Sequence, residues 1–296
     1  MHKDRLRLGT RGSPLALWQA RAVAAALAAH GWAEDAVEIV PVTTTGDRVQ
    51  DRPLADIGGK ALWTKELDRA LVGGNIDIAV HSAKDVESIR PDRIVIAAAL
   101  PRGDVRDRII GVDGLTALRP GMRVGTASPR RAAQLLAREP ALLLVPFRGN
   151  VRTRLDRVGR GEADATLLAA AGLQRLGVDV GVAIAVDELL PAPGQGIIAV
   201  ECRRDDAELR ARLAAIADPG AMTALAAERA LAAALADYLR ARHIVPSHSR
   251  RSPQIGQQQG RRPAARRSKA TWQAWASIST SRKPWSGSAT PWSNRR

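Results

Sequence analysis

Short apolar segments alternate with amphipathic segments of about ten residues along the first two thirds of the chain. The apolar segments predict buried strands and the amphipathic ones predict helices, because a strand inside a parallel sheet is buried on both faces. Strands are expected at residues 5–10, 38–45, 76–80, 94–99, 123–126, 142–145 and 163–168. This alternation predicts an α/β protein with parallel-rich sheets covered by helices.

Two of the predicted helices share the same start signal, a serine followed by a proline. Ser13 precedes Pro14, and Ser128 precedes Pro129. Serine is a favoured N-cap and proline is favoured at the first helical position, so each pair marks a helix N-terminus. Further helices are expected after Gly58-Gly59-Lys60, over Val151–Val158 and over Met222–Leu235.

The distribution of charge changes abruptly near residue 240. Residues 240–296 contain 13 Lys and Arg and no Asp or Glu, whereas residues 1–239 contain 32 basic and 30 acidic residues. The net charge of +15 would by itself suggest a nucleic-acid-binding protein. Because the body is nearly neutral, it gives no support for that function.

Cysteine content and hydropathy exclude several classes of protein. The single cysteine, Cys202, rules out an intramolecular disulfide framework and a cysteine-based zinc site, and it suits a reducing cytosol. No signal-peptide pattern or long apolar run occurs, so a cytoplasmic protein without a membrane span is expected. No metal site is expected either, because the sequence lacks a His cluster with ligand spacing, and it lacks the nucleotide-binding and GxSxG motifs as well.

Basic residues cluster at three predicted junctions between a strand and a helix. The clusters are Arg11-Gly12-Ser13, Ser128-Pro129-Arg130-Arg131, and Arg148-Gly149-Asn150 with Arg154. Helix N-termini attract anions, and the planar guanidinium fork binds carboxylates in a bidentate manner. One such cluster could equally be a solvated helix cap, but three at the carboxyl ends of strands predict a carboxylate-binding crevice.

Two further segments carry candidate chemistry. In His81-Ser82-Ala83-Lys84-Asp85, an acid lies beside a lysine at the end of a predicted strand, which suits a general acid or a stabiliser of a cation. A solvated ion pair explains the same two residues, and His81 alone is more often structural. Pro193-Gly194-Gln195-Gly196 predicts a tight turn that either connects elements or lines a ligand site.

Taken together, these segments resemble the porphobilinogen deaminase family, also called hydroxymethylbilane synthases. The matching segments, in family order and spacing, are Gly9–Ala20, Gly58–Leu67, His81–Asp85, Gly125–Arg131, Arg148–Arg154 and Pro193–Gly196. The resemblance runs from about residue 5 to about residue 235. It implies two lobes like those of periplasmic binding proteins, with a ligand cleft between them, followed by a third α+β domain that is truncated here.

With this resemblance, the expected domains are residues 1–101 with 197–217 for the first lobe, and 102–196 for the second. Residues 218–239 would be the remnant of the third domain, and residues 240–296 a basic tail that is expected to be disordered. Loss of most of the third domain should expose an apolar face of the helix Met222–Leu235.

The resemblance also implies a reaction and its partners. Four porphobilinogen molecules are condensed head to tail into linear hydroxymethylbilane, with release of ammonia, in tetrapyrrole synthesis. The expected partners are porphobilinogen and oligopyrrole intermediates, with no membrane or nucleic acid, and the protein is expected to be a monomer. Porphobilinogen carries acetate and propionate groups, which agrees with the carboxylate-binding crevice.

The family's residue roles carry over to matching positions. Asp85 would be the catalytic acid, hydrogen-bonding pyrrole N–H groups and stabilising the cationic methylene-pyrrole intermediate. The residues implied in binding substrate and cofactor are Arg11, Ser13, Lys84, Ser128, Arg130, Arg131, Arg148, Arg154 and Gln195.

The sequence departs from the family after about residue 236. Members carry a dipyrromethane cofactor on a cysteine of the third domain, and no cysteine stands at the expected place in Asp237–His243. One hypothesis is a reading-frame shift near residues 235–240; the rival is a basic appendage that binds nucleic acid or acidic partners. A non-catalytic protein that binds oligopyrrole anions in the same cleft is the other alternative.

Overall fold

A computed structural model describes residues 5–44 and 64–241. The strands in these ranges are β1 (Leu6–Arg11), β2 (Val37–Val42), β3 (Ile78–Ser82), β4 (Ile94–Ala99), β5 (Asp107–Ile110), β6 (Arg123–Gly125), β7 (Leu143–Val145), β8 (Ala165–Ala169), β9 (Val182–Ala183) and β10 (Ile198–Arg203). The α-helices are α1 (Pro14–Ala29), α2 (Lys65–Val72), α3 (Pro129–Arg138), α4 (Val151–Gly159), α5 (Ala170–Arg175), α6 (Ala207–Ala214) and α7 (Pro219–Ala241). Three short 3-10 helices lie between them, at Glu34–Ala36, Ala83–Asp85 and Leu115–Ala117.

The first lobe is built on a sheet with the strand order β2-β1-β3-β10-β4. The pairings of β1 with β2 and β3 are parallel, whereas β10 is antiparallel to both β3 and β4. Leu8, Ile78 and Val200 from this sheet are buried against Val23 and Leu27 of α1. Burial of such aliphatic side chains stabilises a fold by about 1.5–3 kcal/mol each, so the sheet and α1 form one unit.

The second lobe is built on a sheet with the order β7-β6-β8-β5-β9. Here β6 is parallel to β7 and β8, and β5 is antiparallel to β8 and β9. Ile109, Val124 and Leu167 on the sheet pack with Leu135 of α3, and all four are buried. Each lobe therefore has a core of its own.

The two-lobed α/β fold is confirmed, with sheets that are mixed. Both antiparallel strands, β5 and β10, are the first strands that the chain forms after it crosses to the other lobe. Their registers show that Asp107 begins opposite Ala169, the last residue of β8, and Ile198 begins opposite Ser82, the last residue of β3. Each therefore enters its sheet at the carboxyl ends of the parallel strands and runs the opposite way.

The long helix α7 packs on the first lobe with one end. Ala221 and Leu225 lie in a buried cluster with Ala83, Ile197 and Ala199. Farther along the helix three large apolar side chains are exposed: Leu231, Leu235 and Tyr238. The expected exposed apolar face is therefore present on this helix.

Several predictions fall elsewhere in the chain. The helix start predicted after Gly58-Gly59-Lys60 and the basic tail from residue 242 lie outside the described residues. Within residues 5–44 and 64–241, no helix combines the length and apolar composition needed to cross a bilayer. The same ranges contain no group of three or more His, Cys, Asp or Glu placed to hold a metal ion.

Candidate carboxylate-binding cleft

The first rim of the candidate site lies where β1 and β3 end. The parallel pairing of Gly9 with Ala79 brings the end of β1, with Arg11, beside the end of β3. Ser13 caps α1, its hydroxyl accepting a hydrogen bond from the Ala16 N–H at 3.3 Å. Gln19, one turn farther, donates to the Ser82 hydroxyl at 2.8 Å and so ties the helix to the end of β3.

Lys84 and Asp85 lie in a single turn of 3-10 helix, Ala83–Asp85, directly after β3. The turn is fixed by its backbone, since Ala83 N–H donates to the Ile197 carbonyl at 3.0 Å and Val86 N–H donates to the Ala83 carbonyl at 3.2 Å. Lys84 and Asp85 are both half-buried. A short, hydrogen-bonded turn therefore presents an acid and a base side by side.

Lys84 is electrostatically coupled to the opposite lobe. The pKa of its ammonium is lowered to about 8, chiefly by burial; the negative charge of Asp85 opposes this shift, and the positive charges of Arg131 and Arg154 contribute to it. Arg131 and Arg154 belong to helices of the second lobe. The strand ends of the two lobes thus face each other across a cleft with excess positive charge.

On the second rim, Ser128 caps α3 and two arginines converge on one carboxylate. The Ser128 hydroxyl accepts from the Arg131 N–H at 3.4 Å. Arg130 donates to Asp107 Oδ2 at 2.6 Å, and Arg131 donates to both carboxylate oxygens, at 2.7 and 3.2 Å. Arg130 also donates to the Leu190 carbonyl. The first turn of α3 is therefore fixed to the start of β5.

Asp107 is the centre of this arrangement. Burial alone would raise the pKa of its carboxyl, but the guanidinium groups of Arg131 and Arg130 hold the pKa well below its usual range. The Gln195 amide nitrogen donates to Asp107 Oδ1 at 3.0 Å and to the Val105 carbonyl at 2.7 Å. The buried Gln195 Oε1 has no hydrogen-bond partner among the described residues.

The third basic cluster follows β7. Gly149 has a φ of +109°, a conformation that favours glycine, and its carbonyl accepts from Arg154 Nε at 2.9 Å. Asn150 caps α4 through the Thr153 N–H. Burial lowers the pKa of the Arg154 guanidinium to about 10, and Arg131 and Arg148 contribute as like charges. Like charges held this close are stabilised by an anion between them.

The structure brings most of the predicted site residues together, and it adds Asp107. Arg130, Arg131 and Gln195 meet at Asp107, while Lys84 and Asp85 are coupled electrostatically to Arg154. Arg11 at the end of β1 and Ser13 at the start of α1 lie on the same rim as Lys84. In the sequence Asp107 lies in Arg106-Asp107-Arg108, which looks like a solvated run of charges and gives no sign of burial.

A second missed group holds the connection between the lobes. The carboxylate of Glu228 on α7 accepts from the Gly194 N–H at 2.6 Å and from Arg102 at 2.6 and 3.2 Å. Arg102 in turn donates to the Gln195 carbonyl at 2.9 Å. Both chain segments that cross between the lobes are therefore tied to α7, close to the buried Gln195.

Fold and site together define a class: a two-lobed α/β protein with basic side chains and Asp85 at the ends of its strands. A family model described as "Porphobilinogen deaminase, dipyromethane cofactor binding domain" matches residues 6–211. Porphobilinogen deaminase of Sphingopyxis alaskensis is 57% identical over 237 residues, covering 78% of this chain and 75% of its own length. That of Nitrobacter winogradskyi is 52% identical over 233 residues, covering 77% and 74%.

The chain belongs to the porphobilinogen deaminase family. The predicted family and its enzyme class, the hydroxymethylbilane synthases among the transferases of tetrapyrrole synthesis, are confirmed. Among solved structures, a periplasmic substrate-binding protein of an ABC transporter from Coxiella burnetii aligns with 75% of this chain and 96% of its own, at 16% identity and a TM-score of 0.44.

The cofactor that the family model names is the predicted one, dipyrromethane. Its carboxylates fit the cleft, since Lys84, Arg131, Arg148 and Arg154 supply more positive charge than Asp85 neutralises. The thioether link does not fit: Cys202, the chain's only cysteine, is fully buried within β10. Burial raises the pKa of this thiol to about 11. Cys202 is therefore a small residue packed within a strand.

Proposed function

We propose that this chain condenses porphobilinogen head to tail into hydroxymethylbilane, with Asp85 as the catalytic acid. The observation that carries the proposal is the position of Asp85, which lies in one hydrogen-bonded turn with Lys84 and shares the cleft with Arg154. A fixed carboxylate in a partly desolvated cleft stabilises a developing cation far better than water does. Porphobilinogen supplies that cation when its amine leaves.

Each condensation exchanges one bond for another. The bond between the methylene carbon and the protonated amine breaks, and its electron pair leaves with ammonia. The α-carbon of a second pyrrole forms the new carbon–carbon bond to the methylene and then loses its proton. The Asp85 carboxylate accepts hydrogen bonds from pyrrole N–H groups and so stabilises the positive charge between these two events.

The basic residues hold the acetate and propionate groups. Lys84 and the arginines of both rims donate to carboxylates. Dipyrromethane, when bound, supplies the first ring to which porphobilinogen is joined. The residues proposed to hold these groups are Arg11, Ser13, Lys84, Ser128, Arg130, Arg131, Arg148, Arg154 and Gln195.

The sheet memberships support the proposed domain division. All strands of the second sheet lie between residues 107 and 183, inside 102–196, while β10 belongs to the first sheet and lies inside 197–217. Residues 218–239 correspond to most of α7. We further propose a monomer in the cytoplasm that acts on free porphobilinogen and needs neither a membrane nor nucleic acid.

Replacement of Asp85 tests the proposal. Asp85→Asn should lower ammonia release from porphobilinogen by about 10²–10³-fold, because it removes the charge that stabilises the cation. The dissociation constant for porphobilinogen, measured by calorimetry, should change by less than about threefold, and Asp85→Glu should recover part of the rate. Ammonia release within twofold of the wild type in Asp85→Asn would refute the role of Asp85.

The inaccessibility of Cys202 favours one second candidate, a protein that binds oligopyrrole carboxylates without turnover. The same two measurements separate the candidates. Tight binding of porphobilinogen with no ammonia release from the wild-type chain would support the binding protein and exclude the enzyme.

A further inference from the structure

A buried ionic network lies directly behind the turn that carries Lys84 and Asp85. Its centre is Glu201 on β10, which is fully buried. Arg90 donates to both carboxylate oxygens of Glu201, from Nε to Oε1 at 2.8 Å and from Nη2 to Oε2 at 2.9 Å. His81 Nε2 lies 3.2 Å from Oε2 of the same carboxylate.

The network joins the two ends of the segment between β3 and β4. His81 is in β3, just before the Ala83–Asp85 turn, and Arg90 comes five residues after Asp85. Both side chains are almost completely buried, at 4% and 6% exposure. Because the buried Glu201 carboxylate contacts both His81 and Arg90, it closes the segment between these two residues into a loop. The two ends of this loop cannot separate without breaking a buried ion pair.

Arg90 also anchors the loop to the helix that covers the sheet. It donates to both oxygens of Asp68 on α2, from Nη1 at 3.2 Å and from Nη2. Burial opposes the charge of Arg90, but Glu201 and Asp68 outweigh it and raise the pKa of the guanidinium. Burial likewise opposes the charge of Glu201, and His81 and Arg90 keep the pKa of its carboxyl below the usual range. The charges of Arg90 and Glu201 therefore depend on each other, which makes the loss of Arg90 costly.

A second arginine, from another element, also holds this loop. Arg229 on α7 donates to the carbonyls of Glu87, at 2.5 Å, and Ser88, at 3.0 Å. The Lys84–Asp85 turn is therefore followed by a segment that two arginines fix, one through its side chain and one through its backbone.

We infer that Arg90 is a positioning residue for the reaction, acting through Glu201 and Asp68 to hold Lys84 and Asp85 at the cleft. Arg90 touches no ligand in this role. The inference rests on the proposed function of Asp85, since a turn that does no chemistry would need no such clamp. Accurate placement matters because a shift of about 1 Å in a reacting group can cost about 10²-fold in rate.

The experiment compares Arg90→Met with Arg203→Met. Arg203 is also a partly buried arginine of the first lobe, bound to the Leu71 and Ile76 carbonyls and paired with Asp77 and Asp206, and none of its hydrogen bonds or ion pairs within the described residues is with the loop. Amide hydrogen exchange of Ala83 and Val86 and the titration of Lys84, followed by NMR of its side chain, are measured in both variants. Neither measurement needs turnover, so a failure of the inference about Arg90 can be distinguished from a failure of the proposed function.

In Arg90→Met, exchange at Ala83 and Val86 should become at least about tenfold faster, which is the effect of about 1.4 kcal/mol of lost local stability. The pKa of Lys84 should rise from about 8 toward its ordinary value as the turn moves into solvent. Arg203→Met should leave both readouts unchanged. Arg90→Lys, which keeps the charge but cannot bridge two carboxylates, should lie between wild type and Arg90→Met.

Unchanged exchange and an unchanged Lys84 titration in folded Arg90→Met would overturn the inference. If Arg90→Met does not fold, the same two readouts in Arg90→Lys decide the question, with wild-type values overturning it. Turnover provides a second check: Arg90→Met should lower ammonia release at saturating porphobilinogen, and the dissociation constant should stay within about threefold. Equal losses in Arg203→Met would show a merely structural effect.

Discussion

Arg131 and Asp107 are joined by two hydrogen bonds, from Nη2 to Oδ1 at 2.7 Å and from Nε to Oδ2 at 3.2 Å. An arginine that the sequence assigns to a ligand thus already binds a carboxylate of the protein itself. A guanidinium has five N–H donors, so donors remain for a ligand. The pair fixes the plane of the guanidinium before any ligand arrives, which lowers the entropy lost on binding.

Replacing Asp107 should destabilise the second lobe. Asp107→Asn leaves Arg130 and Arg131 without their shared counter-charge, and breaking such a buried pair costs about 3–5 kcal/mol. Urea unfolding measures this cost. Asp179→Asn, which removes an almost fully exposed partner of Arg108, is the matched control and should cost less than about 1 kcal/mol. Equal costs in the two variants would contradict the assignment.

The same carboxylate predicts a dependence of stability on acid. The pKa of Asp107 is lower in the folded protein than in the unfolded chain, so the unfolded chain binds the proton more readily below about pH 4. The contribution of Asp107 to the free energy of unfolding should therefore be fully present above that pH and should decrease as the pH falls below it. Asp107→Asn should have a shallower slope in this range; an unchanged slope would assign the acid lability to other groups.

Ligand affinity should depend on the protonation of Lys84. Because the pKa of Lys84 is about 8 in the free protein, binding of carboxylates requires uptake of a proton above that pH. The dissociation constant for porphobilinogen should increase by up to about tenfold from pH 7 to pH 9, which means weaker binding. Lys84→Arg, whose charge does not titrate in this range, should flatten the profile. The same profile in both proteins would show that another group, such as the ligand amine, is responsible.

Cys202 should be chemically inert in the folded protein. It is fully buried and the pKa of its thiol is raised to about 11, so little reactive thiolate exists at neutral pH. Iodoacetamide should modify it at least about 10³-fold more slowly than in guanidinium chloride. Intact-mass analysis after incubation with porphobilinogen should show no added pyrrole units. A covalent two-pyrrole adduct would contradict this and would require β10 to open.

Gly125 should tolerate no side chain. A Cβ at this position would collide with the ring of Phe147, which is fully buried and stacked under the Arg157 guanidinium at 3.9 Å. Gly125→Ala should cost about 1–3 kcal/mol in thermal or urea unfolding. Gly159→Ala is the control, because nothing lies within 4 Å of its Cβ and alanine favours a helix. A neutral Gly125→Ala would mean that Phe147 can move aside.

Local signals in the sequence were sufficient for seven of the ten described strands and for most of the described helices, whereas β5, β9 and β10 were not predicted. The serine–proline pairs mark both helix starts, and both serines cap as expected. The clusters at strand ends lie on the rims of one cleft because parallel strands end at the same edge. These features depend on residues close together in the chain, which is why a pattern reveals them.

The contacts that fix the site could not be predicted from the sequence. Asp107 pairs with Arg131 across 24 residues, and Glu201 pairs with Arg90 across 111. Whether a charged residue is buried or solvated depends on which strand becomes its neighbour. In the sheets, β5 lies between β8 and β9, and β10 lies between β3 and β4, all of which are far from them in the chain. The direction of both strands could not be inferred from hydrophobic pattern alone, because antiparallel and parallel strands have the same short apolar runs.

The central position of β10 sets an order on the synthesis of the chain. All strands of the second sheet lie between residues 107 and 183, whereas the first sheet lacks the strand between β3 and β4 until residues 198–203 have been made. Domains tend to fold as units while the ribosome delivers them. The second lobe can therefore be complete while the facing edges of β3 and β4 in the first lobe are still unpaired. The lobe that begins the chain is the one that finishes last.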